Sequence, residues 1–262
     1  MKKWIKVSFW LLFFTSVGFA FGFVENQQQS TVSGLPDIRF IESDKMPFLT
    51  KNEILQRLRF RNLIDENREF RETDIGTIEE YLAEMPEIRS VDVFTYVDGT
   101  WRIDLELRKP IARIFNRSGS TCYLDSDGTL MPWSPNYTAF VPAVSGNIDE
   151  TDLGKNVAGI INNDSLKTLE ILDDLYAIST YVCSDEFLSA QITQIYINRF
   201  REFELIPRVG DQRILFGDAD YVNGKFKKLE YFYAEGMSRA GWENYDTINL
   251  MFENQVVCSK RN

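Results

Sequence analysis

"VDVFTYVDGTWRIDLEL", Val91 to Leu107, reads as a β-hairpin. Val91, Val93, Thr95 and Val97 alternate along the first half, Asp98-Gly99 supplies a two-residue turn, and Trp101, Ile103, Leu105 and Leu107 alternate back. Period-two alternation sends one set of side chains to each face, so each strand needs a cover on its apolar face only. The cover lies upstream. In "DIGTIEEYLAEM" Ile75, Ile78, Leu82 and Met85 recur at helical spacing and Pro86 stops the run. "TKNEILQRL" opens with Thr50 and Glu53 in capping-box spacing, and "DIRFIES" from Asp37 has strand character. The order between Asp37 and Leu107 is therefore strand, helix, helix, strand, strand. Two helices on one face of a three-stranded sheet bury every apolar stripe in that set.

Downstream, "CYLDSDGTLMPWSP", Cys122 to Pro135, has two readings. Asp125-Ser126-Asp127-Gly128 resembles the middle of a calcium loop, but with Gly128 at the sixth position the first ligand would be Tyr123 and the bidentate carboxylate would be Ser134. As a hairpin, Tyr123 and Leu124 run in, the acidic tetrapeptide turns, and Thr129 to Met131 run out. The turn is the better account. Further on, "SLKTLEILDDLYAI" places Leu166, Leu169, Leu172 and Tyr176 on one helical face, and "GKFKKLEYFYAEG" from Gly224 is a second helix. "ITQIYIN", "REFELIP" and "QRILFGD" have strand character. The expected fold class is α+β, with a small β-α-α-β-β domain and then a mixed β-rich domain with two helices.

Composition removes several chemistries. The chain of 262 residues has no histidine, which excludes Ser-His-Asp and Cys-His nucleophile pairs, His-ligated zinc and HExxH sites. Cys122, Cys183 and Cys258 lack CxxC spacing, so at most one disulfide can form and buried free thiols are the simpler reading. No GxxxxGK[ST] loop is present. Carboxylates are plentiful, so a paired-carboxylate cell-wall hydrolase stays open on composition. With 29 basic and 39 acidic residues the net charge is −10, and Lys2, Lys3 and Lys6 precede the body, which is more acidic still. Such a body repels phosphate backbones, so no nucleic acid is expected as a partner.

The N-terminus sets the compartment. "MKKWIK" is followed by an uncharged run from Val7 to Val24 that ends at Glu25. That run is near the minimum that spans roughly 30 Å of hydrocarbon, and the lysines on its N-terminal side orient the body outward. The competing reading is a cleaved signal peptide, with small residues at Gly18 and Ala20, which would leave a secreted or periplasmic binding protein or adhesin. Phe19, Phe21 and Phe23 carry the apolar run past that point and favour the anchor. "ENQQQSTVSGLP", Glu25 to Pro36, reads as a tether.

The order of elements resembles a POTRA domain. "MPEIRSVDVFTYVDGTWRIDLELRKPIARI", Met85 to Ile114, resembles the end of that domain in the bacterial cell-division family FtsQ/DivIB, where an "R-x-P-I-A" closure recurs; here it is Arg108, Pro110, Ile111 and Ala112. The family's following "YLD-x-D-G" and "P-x-x-x-G" are matched by Tyr123 to Gly128 and by Pro142 to Gly146. The aromatic- and Asn-rich style resembles members from Bacteroidota. The resemblance implies a cytoplasmic tail at 1–6, a transmembrane helix at 7–24, a linker at 25–36, a POTRA-like domain at 37–109 and an FtsQ-type β domain at 110–262. It implies a scaffold at the division septum of the inner membrane, without catalytic residue, metal or cofactor. The implied partners are small bitopic proteins of the FtsB and FtsL type and the septal peptidoglycan synthase.

The resemblance also points to the C-terminal stretch "YDTINLMFENQVVC", Tyr245 to Cys258. Read as a single last strand, it places Ile248, Leu250 and Phe252 on one face and Thr247, Asn249, Met251 and Glu253 on the other. A last strand at a sheet edge can accept a partner's strand. The implied partner-binding residues are Asn249, Met251, Phe252, Glu253 and Val256, with Arg199 and Arg201 one strand earlier facing an acidic partner side chain. Phe252 has two readings, interface anchor or core residue.

Overall fold

The computed structural model describes residues 34–41, 48–65, 73–96, 99–117, 119–134, 137–148, 171–237 and 241–261, together with Arg239, Trp10, residues 12–17 and Phe19. The chain forms two compact units, Met1–Leu107 and Arg108–Asn262. Most of the apolar run from Val7 to Val24 falls outside the described residues, as do Leu166, Leu169 and Asp98. Among the described residues no helix is long and apolar enough to cross a membrane.

In the first unit β1 (Asp37–Ile41), α1 (Lys51–Phe60), α2 (Ile75–Ala83), β2 (Ile88–Thr95) and β3 (Trp101–Leu107) follow in that order. The sheet order is β1-β3-β2, with β3 parallel to β1 and antiparallel to β2. Local chemistry starts both helices. The Thr50 hydroxyl accepts from the Glu53 amide while the Glu53 carboxylate accepts from the Thr50 amide, a complete capping box. The Asp74 carboxylate accepts from the Thr77 amide at 3.1 Å. Ile54, Leu58, Ile78 and Leu82 are fully buried and pack with Ile38, Ile103 and Leu105 of the sheet. Each such side chain stabilises the fold by about 1.5–3 kcal/mol relative to exposure.

The hairpin loop corrects the sequence reading. Tyr96 donates to the Thr100 carbonyl and Gly99 donates to that of Tyr96, so three residues, not two, separate the closing pair. Gly99 has φ +83°, the left-handed conformation that a three-residue hairpin loop favours at its last position. The strong Asp-Gly signal located the turn; the added residue restores the strand twist.

The second unit contains β4 (Pro110–Phe115), β5 (Thr121–Asp125), β6 (Leu130–Pro132), β7 (Ala143–Gly146), α3 (Ile171–Ser184), α4 (Glu186–Gln191), β8 (Ile192–Ile197), β9 (Phe203–Pro207), β10 (Arg213–Gly217), α5 (Val222–Tyr231), β11 (Tyr245–Asn249) and β12 (Val257–Lys260). The nine strands among its described residues run in the order β12-β11-β10-β9-β8-β7-β4-β5-β6. Two helices were expected here; the described residues hold three, and α5 continues as a π-helical turn, Phe232–Met237. The extra one, α4, is capped by Asp185 and is too short to show a helical period.

One row of residues explains how this sheet is covered. Cys122, Ile114, Val144, Ile195, Leu205, Ile214 and Ile248 are successive register partners across seven strands, and all are buried. They share a core with Leu172, Leu175, Ile178 and Val182 of α3 and Phe226 and Leu229 of α5. The three cysteines are free, and burial pushes the Cys122 and Cys183 thiols up to about 11.

Candidate functional site

The C-terminal stretch is not one strand. Strand β11 ends at Asn249, and the chain then turns back as β12, which pairs antiparallel with it through Ile248–Cys258 and Asn249–Val257. The turn begins where the Asn249 side chain accepts the Met251 amide at 2.9 Å, and Asn254 adopts φ +58°. Asparagine suits both roles because its short amide substitutes for a strand partner and tolerates the left-handed region. Breaking the strand breaks its period. Leu250 is fully buried while Phe252 is 45% exposed, so the reading of Phe252 as core does not hold.

The edge of the sheet is β12 rather than the segment containing Phe252. Its counterpart at the other end, β6, has three residues and closes on Pro132, which lacks an N–H. Strand β12 has no proline, and its residues are exposed or half-buried. Its outward backbone groups form the more accommodating edge of the two.

The turn between β11 and β12 forms one wall of a cleft of about 510 Å³. Its walls come from four places in the sequence: Glu202 after β8, Gly217 and Asp218 at the end of β10, Tyr221 to Lys228 at the start of α5, and Leu250 to Asn254. Two local arrangements shape it. Lys228 Nζ donates to the carbonyls of Leu250 at 2.9 Å and Phe252 at 2.6 Å, which fixes the turn that displays Phe252. Burial and the neighbouring Lys225 hold the Lys228 ammonium below its usual range. Gly217, at φ +78°, lies under Met251: a Cβ there would come within 2.8 Å of Met251 Cγ. Lys225, almost fully buried, donates to Asp218 Oδ1 at 2.6 Å, and this bond lowers the Asp218 carboxyl.

The sequence-derived residues therefore separate into groups. Met251, Phe252 and Glu253 line the cleft, Asn249 holds the turn, and Val256 lines a second groove of about 450 Å³ with Tyr231, Phe232 and Gly236. Arg199 and Arg201 sit in the β8–β9 turn; their neighbour Glu202 lines the cleft, and they are not among its described lining residues. Lys228, Lys225, Gly217 and Tyr221 were not singled out from sequence. Only Gly217, in "RILFGD" before a helix, carried a signal, and its meaning depended on Met251.

Arg201 has an unusual backbone. The turns closing Asp125 to Thr129, Asn116 to Ser120 and Asn198 to Glu202 share one pattern: the first residue's amide donates to the carbonyl four residues on, its carbonyl accepts the amide three residues on, and its side chain accepts the amide four residues on. The left-handed position is Gly128 and Gly119 in the first two, and Arg201 at φ +66° in the third. An arginine there costs about 1–2 kcal/mol relative to an unstrained conformation, and such strain concentrates at functional positions. Near this turn, burial, Asp173, Asp220 and Asp218 push the Asp174 carboxyl up to about 6, with Arg201 acting in the opposite sense.

Asp125 is also explained. It is fully buried, its Oδ1 accepts the amides of Asp127 and Thr129, and its Oδ2 accepts Arg108 Nη1 at 2.9 Å. The Arg108 of the "R-x-P-I-A" closure and the first aspartate of "YLD-x-D-G" are thus one ion pair, and Tyr176 of α3 donates to the Ser126 carbonyl above it.

A family model described as FtsQ/DivIB, C-terminal related matches residues 109–259. The chain belongs to this family. The match covers the nine-stranded unit, including the Asp125 turn, the cleft and the β12 edge, and ties it to FtsQ/DivIB-related cell-division proteins. No curated protein matches the chain.

Proposed function

We propose that this chain is a non-enzymatic scaffold of the division machinery, which holds small bitopic proteins of the FtsB and FtsL type and thereby organises septal peptidoglycan synthesis. The run from Val7 to Val24 is its single inner-membrane anchor, residues 37–109 are its POTRA-like domain, and the body lies on the periplasmic side at the septum. The observation that carries the reading is the open β12 edge with Met251 and Phe252 exposed beside it. Strand addition uses backbone hydrogen bonds for affinity and side-chain contacts for specificity; the β12 edge offers the first, and the exposed Met251 and Phe252 of the turn that leads into it are available for the second. Histidine is absent from the whole chain, in keeping with a binding role.

The test uses proline at adjacent positions of β12. Along an antiparallel strand successive residues point their backbone groups to opposite sides, so one of Cys258 and Ser259 faces β11 and the other faces outward. Tagged full-length chain carrying Cys258→Pro or Ser259→Pro is purified from membranes, and retained division proteins are identified and quantified. The proline variant that keeps its melting temperature is the outward one. It is expected to retain at least tenfold less partner than the unaltered chain; retention at the unaltered level rules out addition along β12.

A further inference from the structure

The cleft is chemically asymmetric. Glu202, Asp218, Asp220 and Glu253 line it against Lys225 and Lys228. Both ammonium groups are turned into the protein: Lys225 onto Asp218, and Lys228 onto the carbonyls of Leu250 and Phe252. The carboxylates are less fully used. Among the described residues the Glu202 carboxylate accepts only the Asn198 side-chain amide, and Asp220 and Glu253 are exposed and form no ion pair. The floor is apolar, made by buried Leu250 and by Met251 lying over Gly217. Two aromatic side chains stand at the rim, Phe252 and the 78% exposed Tyr221, whose φ of +55° at the start of α5 is the same strained conformation found at Arg201.

We infer that this cleft receives a basic side chain, arginine or lysine, from the partner chain bound along β12. An aliphatic stem fits an apolar floor, and a cationic head suits a rim of carboxylates and aromatic faces. An anionic side chain is disfavoured because the lysines that would meet it are already held by internal acceptors. The identity of the occupant as a partner chain rests on the edge reading above; the cationic preference of the cleft does not.

Ligand-observed saturation-transfer NMR on the full chain in detergent micelles tests the preference with three probes of similar size: n-butylguanidinium, n-butylurea and butanesulfonate. Butylguanidinium is expected to bind saturably in the millimolar range and to weaken at least threefold between 0.05 and 0.3 M salt, since rim charges are screened. The exposed double substitution Asp220→Asn with Glu253→Gln is expected to weaken it at least fivefold, whereas Glu243→Gln, remote from the cleft lining, leaves it unchanged. Equal binding of butylurea or butanesulfonate, or indifference to the double substitution, overturns the inference. Guanidinium binding in a chain whose outward proline variant still retains its partner would remove the β12 reading and leave the cleft's preference intact.

Discussion

Asp125→Asn is the most informative single change in the larger unit. The substitution keeps shape and one oxygen, so the amides of Asp127 and Thr129 still find an acceptor, but a neutral one. A hydrogen bond to a charged group contributes about 1.5–3 kcal/mol against about 0.5–1.5 for a neutral one, so the two amide bonds together lose about 2 kcal/mol. The second loss is at Arg108, whose side chain is only 20% exposed and meets Asp125 Oδ2 at 2.9 Å. An amide there offers no anion, though Asp127 at 3.6 Å and the Thr129 hydroxyl at 3.3 Å compensate in part. Breaking one side of a buried pair costs about 3–5 kcal/mol when nothing compensates; with these neighbours about 1 kcal/mol is reasonable. The total is about 3 kcal/mol, a fall of roughly 6–12 °C in melting temperature for a unit of this size. Calorimetry measures it, and a double-mutant cycle with Arg108→Met should return a coupling of at least about 1 kcal/mol. A loss below about 1 kcal/mol for Asp125→Asn, or zero coupling, refutes the account of this turn as a charged clamp.

Three further outcomes follow from the same geometry. Arg201→Gly should relieve the left-handed strain and, after the extra unfolded-state entropy of glycine, stabilise the unit by about 0.5 kcal/mol in urea unfolding while weakening partner retention; destabilisation contradicts the strain argument. Phe252→Ala should cost only about 1 kcal/mol of stability, because half the ring is already in water, against about 3–5 for a core phenylalanine, while lowering partner affinity about thirtyfold; a core-sized loss of stability refutes the placement. Asp174 has a raised folded-state value of about 6, so the folded state holds its proton more tightly than the unfolded chain. The resulting stabilisation is present below the ordinary carboxylate range and lost as pH rises through 6. Asp174→Asn should therefore raise stability at pH 7.5, by about 1 kcal/mol once solvent screening of this half-buried group is allowed for, and flatten the dependence between pH 4 and 6; an unchanged slope argues against it.

The sequence by itself determined what short-range physics controls. Alternation from Val91 to Leu107, the helical spacing of Ile75 to Met85, the Thr50 capping box and the glycines of the turns each act within a few residues, so strands, helices and hairpins were legible before any contact was known. Absent histidine and the −10 charge limited chemistry in the same direct way. Tertiary structure decided everything that depends on which strands meet. Tyr245 to Cys258 has unbroken alternation through Phe252, yet β11 is held between β10 and its own continuation β12, and the turn this requires takes Phe252 off the core face. The pairing of Arg108 with Asp125 and the closing of the cleft by Glu202, Gly217, Lys228 and Phe252 likewise join residues far apart in the chain. Local propensity is fixed by neighbours in sequence, whereas an edge, a cleft and an exposed aromatic exist only once long-range pairing has chosen which surfaces remain uncovered.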